Sequence, residues 1–459
     1  MRSRQEQVQA HRFITRRIVS GLLTGEPETS ELPMRRFGLA LFGSVMVAAI
    51  VFAIVGVIGL VNPGGGKPAN GELIIMRETG ARYVLADQTL HPVLNWSSAL
   101  LFAGSEAPAV RQMSRDSLAS YAVGEPIGIP GAPDPPPQRD ALLRLPWSVC
   151  SSPPAGGTGQ PETVVVVGRE PTGGAALGTD TALLVTTPQD DSGPAATFVV
   201  WADRRYRVPD QTAMTALELA ATTPLTVGKA LLNSVSSGPD LAAPRIDDTG
   251  ETSDTRVDGD RGRIGQVYRS GQQRYVLTND GLATIGAVSA KLLLADDPRE
   301  IEISAAAAAD ALVKQVVEAP GFPPALPQIP VTQTGDTMLC AIHNGNEEGG
   351  VTATVHRYGS GAERVTGPGA GDRVLVASGK GALVKALPAP GVRADTTIYL
   401  ITDQGYKFPI RNAGEVDAVV ALGYGGVDPL PVPSQLLALV PNGPVLDPTA
   451  AQSFFRPSG

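Results

Sequence analysis

The residues of this chain whose types could do chemistry are two cysteines, four histidines and the lysines that follow glycine. Cys150 and Cys340 are too few for a Cys-only zinc site, and His343 stands beside an Asn-Gly turn rather than at ligand spacing. Their default chemistry is a disulfide, although two residues so far apart in the chain need a separate argument to bring them within bonding distance. His11, His91, His343 and His356 never pair at metal spacing and read as surface or packing residues. Gly66-Lys67, Gly228-Lys229 and Gly379-Lys380 invite comparison with a phosphate-binding loop. That loop needs a glycine five residues before its Gly-Lys and a Ser or Thr after it, so that backbone N–H groups cradle phosphate and a hydroxyl holds magnesium. The chain has Val61, Thr223 and Val374 in the first place and Pro68, Ala230 and Gly381 in the second. Gly-x-Ser-x-Gly and His-Glu-x-x-His are missing as well. The acidic stretch with Asp254, Asp258 and Asp260 lacks the distal Glu of an EF-hand and carries Arg256, Arg261 and Arg263, so it reads as a solvated linker. No catalytic, cofactor-binding or metal site is expected.

The elements around these residues locate them. The run Gly38 to Val61, GLALFGSVMVAAIVFAIVGVIGLV, is uncharged and exceeds the about 20 residues that span a bilayer core. It is expected to be a transmembrane helix. Arg2, Arg4, Arg12, Arg16, Arg17, Arg35 and Arg36 precede it, whereas only Lys67 and Arg77 follow closely, so the N-terminus is expected in the cytoplasm. A cleaved signal would have a shorter apolar run and a small-residue cleavage site, which the exit Asn62-Pro63-Gly64 does not offer. Ahead of the anchor, Val8, Ile14, Ile18, Val19, Leu22 and Leu23 recur at mostly three- and four-residue spacing among arginines. This predicts a basic amphipathic helix over Ser3–Leu23, ended by Gly25 and Pro27, facing lipid headgroups or a cytoplasmic partner. A length of 459 residues implies two or more domains, and Gly 52 and Pro 40 beside only three Trp describe a loop-rich β-containing chain. A net charge of −8 excludes nucleic acid as a partner.

Beyond the anchor the sequence repeats itself. Arg77-ETGA-Arg82-Tyr83-Val84-Leu85 aligns with Arg269-SGQQ-Arg274-Tyr275-Val276-Leu277, and Leu100-Leu101 with Leu292-Leu293 at the same offset. Tyr206-Arg207-Val208-Pro209 aligns with Tyr406-Lys407-Phe408-Pro409. Val227-x3-Leu231-Leu232-x2-Val235-x2-Gly238-Pro239-x-Leu241 then aligns with Val432-x3-Leu436-Leu437-x2-Val440-x2-Gly443-Pro444-x-Leu446. Each unit reads as a hairpin carrying a core tyrosine (Tyr83, Tyr206, Tyr275 or Tyr406) followed by a helix. Between the units lie Cys150 with Thr163–Arg169 and Ala182–Pro188, then Cys340 with Val351–Tyr358 and Arg373–Ala377, in the same order. A tandem duplication with strands of both halves paired in one central sheet across a pseudo-twofold axis would set Cys150 against Cys340.

At these residues the chain resembles the EccB membrane component of the type VII (ESX) secretion systems of actinobacteria. The likeness rests on HRFITRRIVSGLL (His11 to Leu23), the lone helix Gly38 to Val61, the four tyrosine-bearing repeats and one cysteine in each half. It implies a structural core subunit of an inner-membrane translocation complex beside EccC, EccD, EccE and the mycosin protease. It also implies an elongated extracytoplasmic part that assembles with copies of itself. The family is often described as ATP-hydrolysing, so ATP enters through the resemblance alone; a cell-wall or peptidoglycan-binding module is a third reading. The expected fold is α+β. A cytoplasmic segment (1–37), the anchor (38–61) and a linker (62–71) precede repeat 1 (72–104) and the first central half (105–196). Repeat 2 (197–246), an acidic linker (247–263) and repeat 3 (264–295) follow, then the second central half (296–396), repeat 4 (397–448) and a tail without structure (449–459).

Overall fold

The computed structural model describes residues 4–25, 33–61, 67–105, 108–153, 160–189, 193–295, 297–331, 337–346, 350–359, 361–365, 373–387 and 396–456. Residues 62–66 of the expected linker 62–71 and the last residues of the tail lie outside them. Two compact units emerge: Met1–Pro92 with Ala109–Glu125, and Val93–Pro108 with Pro126–Gly459.

In the first unit, α1 (Arg4–Thr24) ends where Gly25 enters the left-handed region at φ 71 and returns its N–H to Gly21 O at 3.1 Å. Helix α2 (Pro33–Val61) begins with a proline, whose missing N–H costs nothing at a helix start. Among the described residues it is the one helix long and apolar enough to cross a membrane. Strands β1 (Leu73–Met76), β2 (Arg82–Ala86) and β3 (Thr89–Pro92) form an antiparallel meander. Asp87 and Gln88 turn β2 into β3, both at positive φ, as a two-residue turn requires. In the second unit, α3 (Trp96–Ala103) is capped by Asn95, whose Oδ1 accepts from Ser98 N–H at 3.0 Å. Back in the first unit, β4 (Val110–Met113) lies parallel to β1, and α4 (Arg115–Leu118) precedes β5 (Ala122–Val123) parallel to β3. The meander buries Ile74, Leu85 and Leu90 under Met113 and Leu118. Its apolar face is therefore covered from α4, and α3 is left to pack within the second unit, although the sequence reading closed repeat 1 with it.

The second unit continues with β6 (Trp147–Ser152), β7 (Glu162–Val166) and β8 (Gly174–Ala176). A second sheet follows: β9 (Leu183–Thr187), β10 (Ala196–Trp201), β11 (Arg204–Val208), α5 (Gln211–Ala216), β12 (Leu225–Thr226), α6 (Lys229–Ser234) and β13 (Ser236–Ser237), in strand order β12-β9-β10-β11-β13. The segment Ala182–Pro188, expected in the central sheet, thus supplies a strand here, because β9 pairs with β10 from Leu183↔Val200 to Thr187↔Ala196.

The stretch expected as a solvated linker is a hairpin, β14 (Thr252–Val257) with β15 (Asp260–Arg263). Asp258 and Gly259, at φ 53 and 89, form its turn; the charges point outward while Ser253 and Val257 are buried. Charge content masked an Asp-Gly turn signal flanked by alternating side chains.

Strands β16 (Val267–Ser270), β17 (Gln273–Leu277) and β18 (Leu282–Ile285) form a meander followed by α7 (Ala287–Leu293), β19 (Glu300–Glu302) parallel to β16, and α8 (Ala305–Asp310). Strands β20 (Met338–Gly345), β21 (Val351–Tyr358) and β22 (Arg373–Leu375) then complete the central sheet, in order β22-β7-β6-β20-β21-β8. The last sheet is built from β23 (Gly381–Leu387), β24 (Ile398–Thr402), β25 (Lys407–Ile410), α9 (Ala418–Ala421), β26 (Leu430–Pro433) and α10 (Ser434–Ala438), in order β25-β24-β23-β26.

The chain beyond Pro448, expected to carry no structure, forms α11 (Pro448–Ala451). Asp447 caps it by accepting from Thr449 and Ala450 N–H at 2.7 and 3.1 Å, and Pro448 sits at the first helical position. Ala451 is fully buried with Leu100 and Leu101 of α3, and Phe455 N–H donates to Pro126 O at 2.8 Å. The proline read as a terminator is here an initiator. Deleting Pro448–Gly459 is expected to cost about 2 kcal/mol, the worth of a helix cap plus a small buried apolar area, and to lower the melting temperature by several degrees. An unchanged melt would mean that α11 contributes nothing to the core.

Candidate functional site

Strands β6 and β20 pair antiparallel with Cys150 directly opposite Cys340, and their sulfur atoms are joined. Both strands are buried on both faces over most of their length. On the disulfide's face lie Val164, Val166, Met338, Ile342 and Tyr358. On the other face lie Trp147, Val149, Leu339 and Ala341. That second face receives Leu231, Leu232 and Val235 from α6 and its C-terminal end together with Leu436, Leu437 and Val440 from α10 and its end. These six residues are those the two aligned Leu-Leu-x2-Val motifs contain, so the motif docks two sheets onto one central surface.

The following Gly-Pro-x-Leu sets how each sheet closes. Gly238 N–H donates to Arg205 O and Leu241 N–H to Arg207 O, at 2.8 and 2.7 Å; Gly443 N–H donates to Lys407 O and Leu446 N–H to Pro409 O, each at 2.8 Å. A Cβ on Gly238 would meet the Tyr206 ring at 2.2 Å, and one on Gly443 the Phe408 ring at 2.3 Å. Tyr206 therefore corresponds in space to Phe408 rather than to Tyr406. Tyr206 is buried, Tyr83 and Tyr275 are half-buried, and Tyr406 is 46% exposed. The hairpin of β24 and β25 turns through Asp403, Gln404 and Gly405, one residue more than Ala202-Asp203 between β10 and β11. The shared Tyr-x-x-Pro letters thus fall out of register with the strands.

Lys407, expected only as part of that motif, is buried. Its Nζ donates to Leu437 O at 2.7 Å and to Val440 O, at the C-terminal end of α10, where a cation meets the helix dipole. Burial lowers its pKa. His343 is 2% exposed, its Nε2 has no partner among the described residues, and burial pulls its pKa down to about 4.

The two described Gly-Lys glycines, Gly228 and Gly379, are committed to the protein itself. Gly228 N–H donates to Ser151 Oγ at 2.8 Å, Lys229 Nζ to Gly193 O at 3.2 Å, and Gly379 N–H to Asp403 Oδ2 at 2.7 Å. Gly66 lies outside the described residues. An arrangement the sequence reading missed is Thr354, His356 and Glu170. The His356 Nε2 lies 3.2 Å from Thr354 Oγ1, and Nδ1 lies 3.1 Å from Glu170 Oε1 but off the hydrogen-bonding direction. It resembles a nucleophile, base and carboxylate in order only, because the base is not oriented by the carboxylate. Among the described residues no three metal-ligating side chains converge.

The disulfide closes a loop with a sequence separation of 190. Cys150→Ser, Cys340→Ser and the double change are expected to lower stability equally, by up to about 4–5 kcal/mol from loop closure. Unequal losses, or two free thiols in protein taken from the cell envelope, would contradict the bridge. For His343 the folded pKa lies below the ordinary value of 6.5. The unfolded chain therefore takes up the proton first; full stability holds above that value, and falls as the pH drops toward about 4. The loss is expected to approach 3 kcal/mol, at about 1.4 kcal/mol for each pH unit. Denaturant melts of His343→Leu should lack this part of the acid slope.

A family model described as Type VII secretion system ESX-1, transport TM domain B, matches residues 2–454. The chain is 29% identical to the ESX-3 secretion system ATPase EccB3 of Mycobacterium tuberculosis H37Rv, over 96% of this chain and 88% of the relative. To the ESX-1 secretion system ATPase EccB1 of the same strain it is 25% identical, over 97% and 93%. Among solved structures, a chain of the intact ESX-5 inner membrane complex shares the fold with a TM-score of 0.67 at 21% identity, covering 100% of this chain and 96% of that one. A chain of the EccB3 dimer from the ESX-3 core complex does so with 0.66 at 24% identity, covering 83% and 100%. With the apolar helix, the bridged central sheet and a match over nearly its whole length, the chain belongs to the EccB family of type VII (ESX) secretion systems.

Proposed function

We propose that this chain is a structural subunit of an ESX inner-membrane complex, anchored by α2 with α1 in the cytoplasm and everything after the anchor outside. The family match over residues 2–454 carries the reading. The arginine excess before the anchor and the disulfide behind it support the orientation, since a stable bridge suits an oxidising compartment. Relatives are seen as a dimer and in a periplasmic assembly. Self-association and contact with EccC, EccD, EccE and the mycosin protease are therefore proposed here.

We further read the outer part as a tandem duplication. In its support, α3 puts Leu100 and Leu101 into a core with Phe408 and Leu446, while α7 puts Val288 and Leu292 into a core with Tyr206 and Leu241. Helices at equivalent places after two meanders thus enter equivalent cores of the two other sheets. The relatives' names include ATPase, but here the Gly228 and Gly379 N–H groups are bonded within the protein, which favours the structural role. Peptidoglycan binding has no observation of its own behind it.

The test is affinity capture of the full chain from native membranes of its own cells. Other ESX membrane subunits should come down with it, in a complex that persists without added nucleotide. A reporter active only outside the membrane should work when fused after Gly66 and fail when fused at Pro33. A lone monomer, or the opposite reporter pattern, would overturn the role or the topology respectively.

A further inference from the structure

Arg205 on β11 is a charge without a counter-ion among the described residues. Its guanidinium is half-buried and lies over the Phe198 ring, 5.7 Å from the centroid. Its Nη1 donates to Asn233 Oδ1 at 3.1 Å, and Nε is buried without an acceptor. Among the described residues no carboxylate lies within ion-pair distance of it. Burial lowers its pKa, yet a guanidinium stays charged in proteins. Buried charges are normally paired, because the lost hydration has to be replaced.

A cavity of about 530 Å³ opens beside it within the second unit, a size that takes a small ligand. Arg205, Asn233 and Ser236 line it together with His343, Val351 and Leu439, and among the described residues no acidic side chain does. His343 is a second polar group left incomplete there, with its Nε2 unpartnered in a side chain that is almost wholly buried.

We propose that this cavity binds a carboxylate carried on a small apolar group. The Arg205 fork supplies the counter-charge, Asn233 and Ser236 supply further polar contacts, and Val351 and Leu439 cover the apolar part. A carboxylate fits better than a phosphate because a single cation neutralises a monoanion but not a dianion. The same chemistry comes from a free carboxylic acid or from the C-terminus of a peptide.

Calorimetric titration of the full-length chain in detergent tests this with N-acetyl-alanine, its amide, N-acetyl-dialanine and inorganic phosphate. Both acids should bind, with the amide weaker by about tenfold or more, the loss expected for a charge-assisted hydrogen bond. Arg205→Gln should reduce the acids to the level of the amide with an unchanged circular dichroism spectrum, and Arg205→Lys should keep part of the binding. Tighter binding of the dipeptide would support the cavity as a reader of chain ends, and equal binding would support it as a site for a free acid. The amide comparison on the unaltered chain stands even if the glutamine variant fails to fold. No heat with either acid, equal binding of the amide, or phosphate binding as tightly as the acids would overturn the proposal.

Discussion

The antiparallel pairing of β6 with β20 is the contact on which the second unit depends. A strand pair buried on both faces cannot alternate polar and apolar side chains, and it has to satisfy every backbone group within the sheet. Trp147–Ser152 and Met338–Ile342 meet that demand with small, apolar or hydroxyl-bearing residues. The two strands come from chain segments far apart, so their meeting carries a large loop-closure cost, which the covalent bridge removes once it has formed. One face of the pair encloses the bridge; the other is the floor onto which α6 and α10 lay their leucines.

The surrounding sheets then solve a size problem. A meander of three short strands has too little apolar surface to be stable alone. Each gains cover from helices, and α3 and α7 spend their apolar faces in cores they share with other sheets. Stability in the second unit is in this way distributed among neighbours, an arrangement suited to a subunit that must hold its shape within a membrane complex. The close seats of Tyr206 over Gly238 and Phe408 over Gly443 show how tight these cores are, since any Cβ at either glycine would overlap a ring.

Charge enters the interior at few points, and each has a different answer. Lys407 is held by carbonyl groups at the end of a helix, His343 gives up its charge, and Arg205 keeps its own beside an open cavity. The first fits a purely structural interior, whereas Arg205 and the His343 Nε2, unpartnered among the described residues, leave interactions for something else to complete.

The residues by themselves determined what depends on short-range order. An uncharged apolar run of bilayer length marks a candidate membrane span, and arginine asymmetry sets the orientation expected of it. Two cysteines at like places between the repeats made a bridge between them the expectation, and Leu-Leu-x2-Val showed as a recurring motif whose docking face it did not name. The tertiary structure decided what depends on distant partners. The core position falls at Phe408 rather than Tyr406, and a shift of two residues keeps the same face, so alternation could not reveal it. The sequence reading closed repeat 1 with α3 because it follows that hairpin, but an apolar helix face names no partner and α3 packs in another core. The tail beyond Pro448 and the hairpin at Thr252–Arg263 looked loose because proline and charge dominate locally, whereas one buried Ala451 and one buried Val257 hold them in place. Arg205 drew no notice in the sequence, since an arginine on a strand is ordinarily solvated and only the fold removes its water.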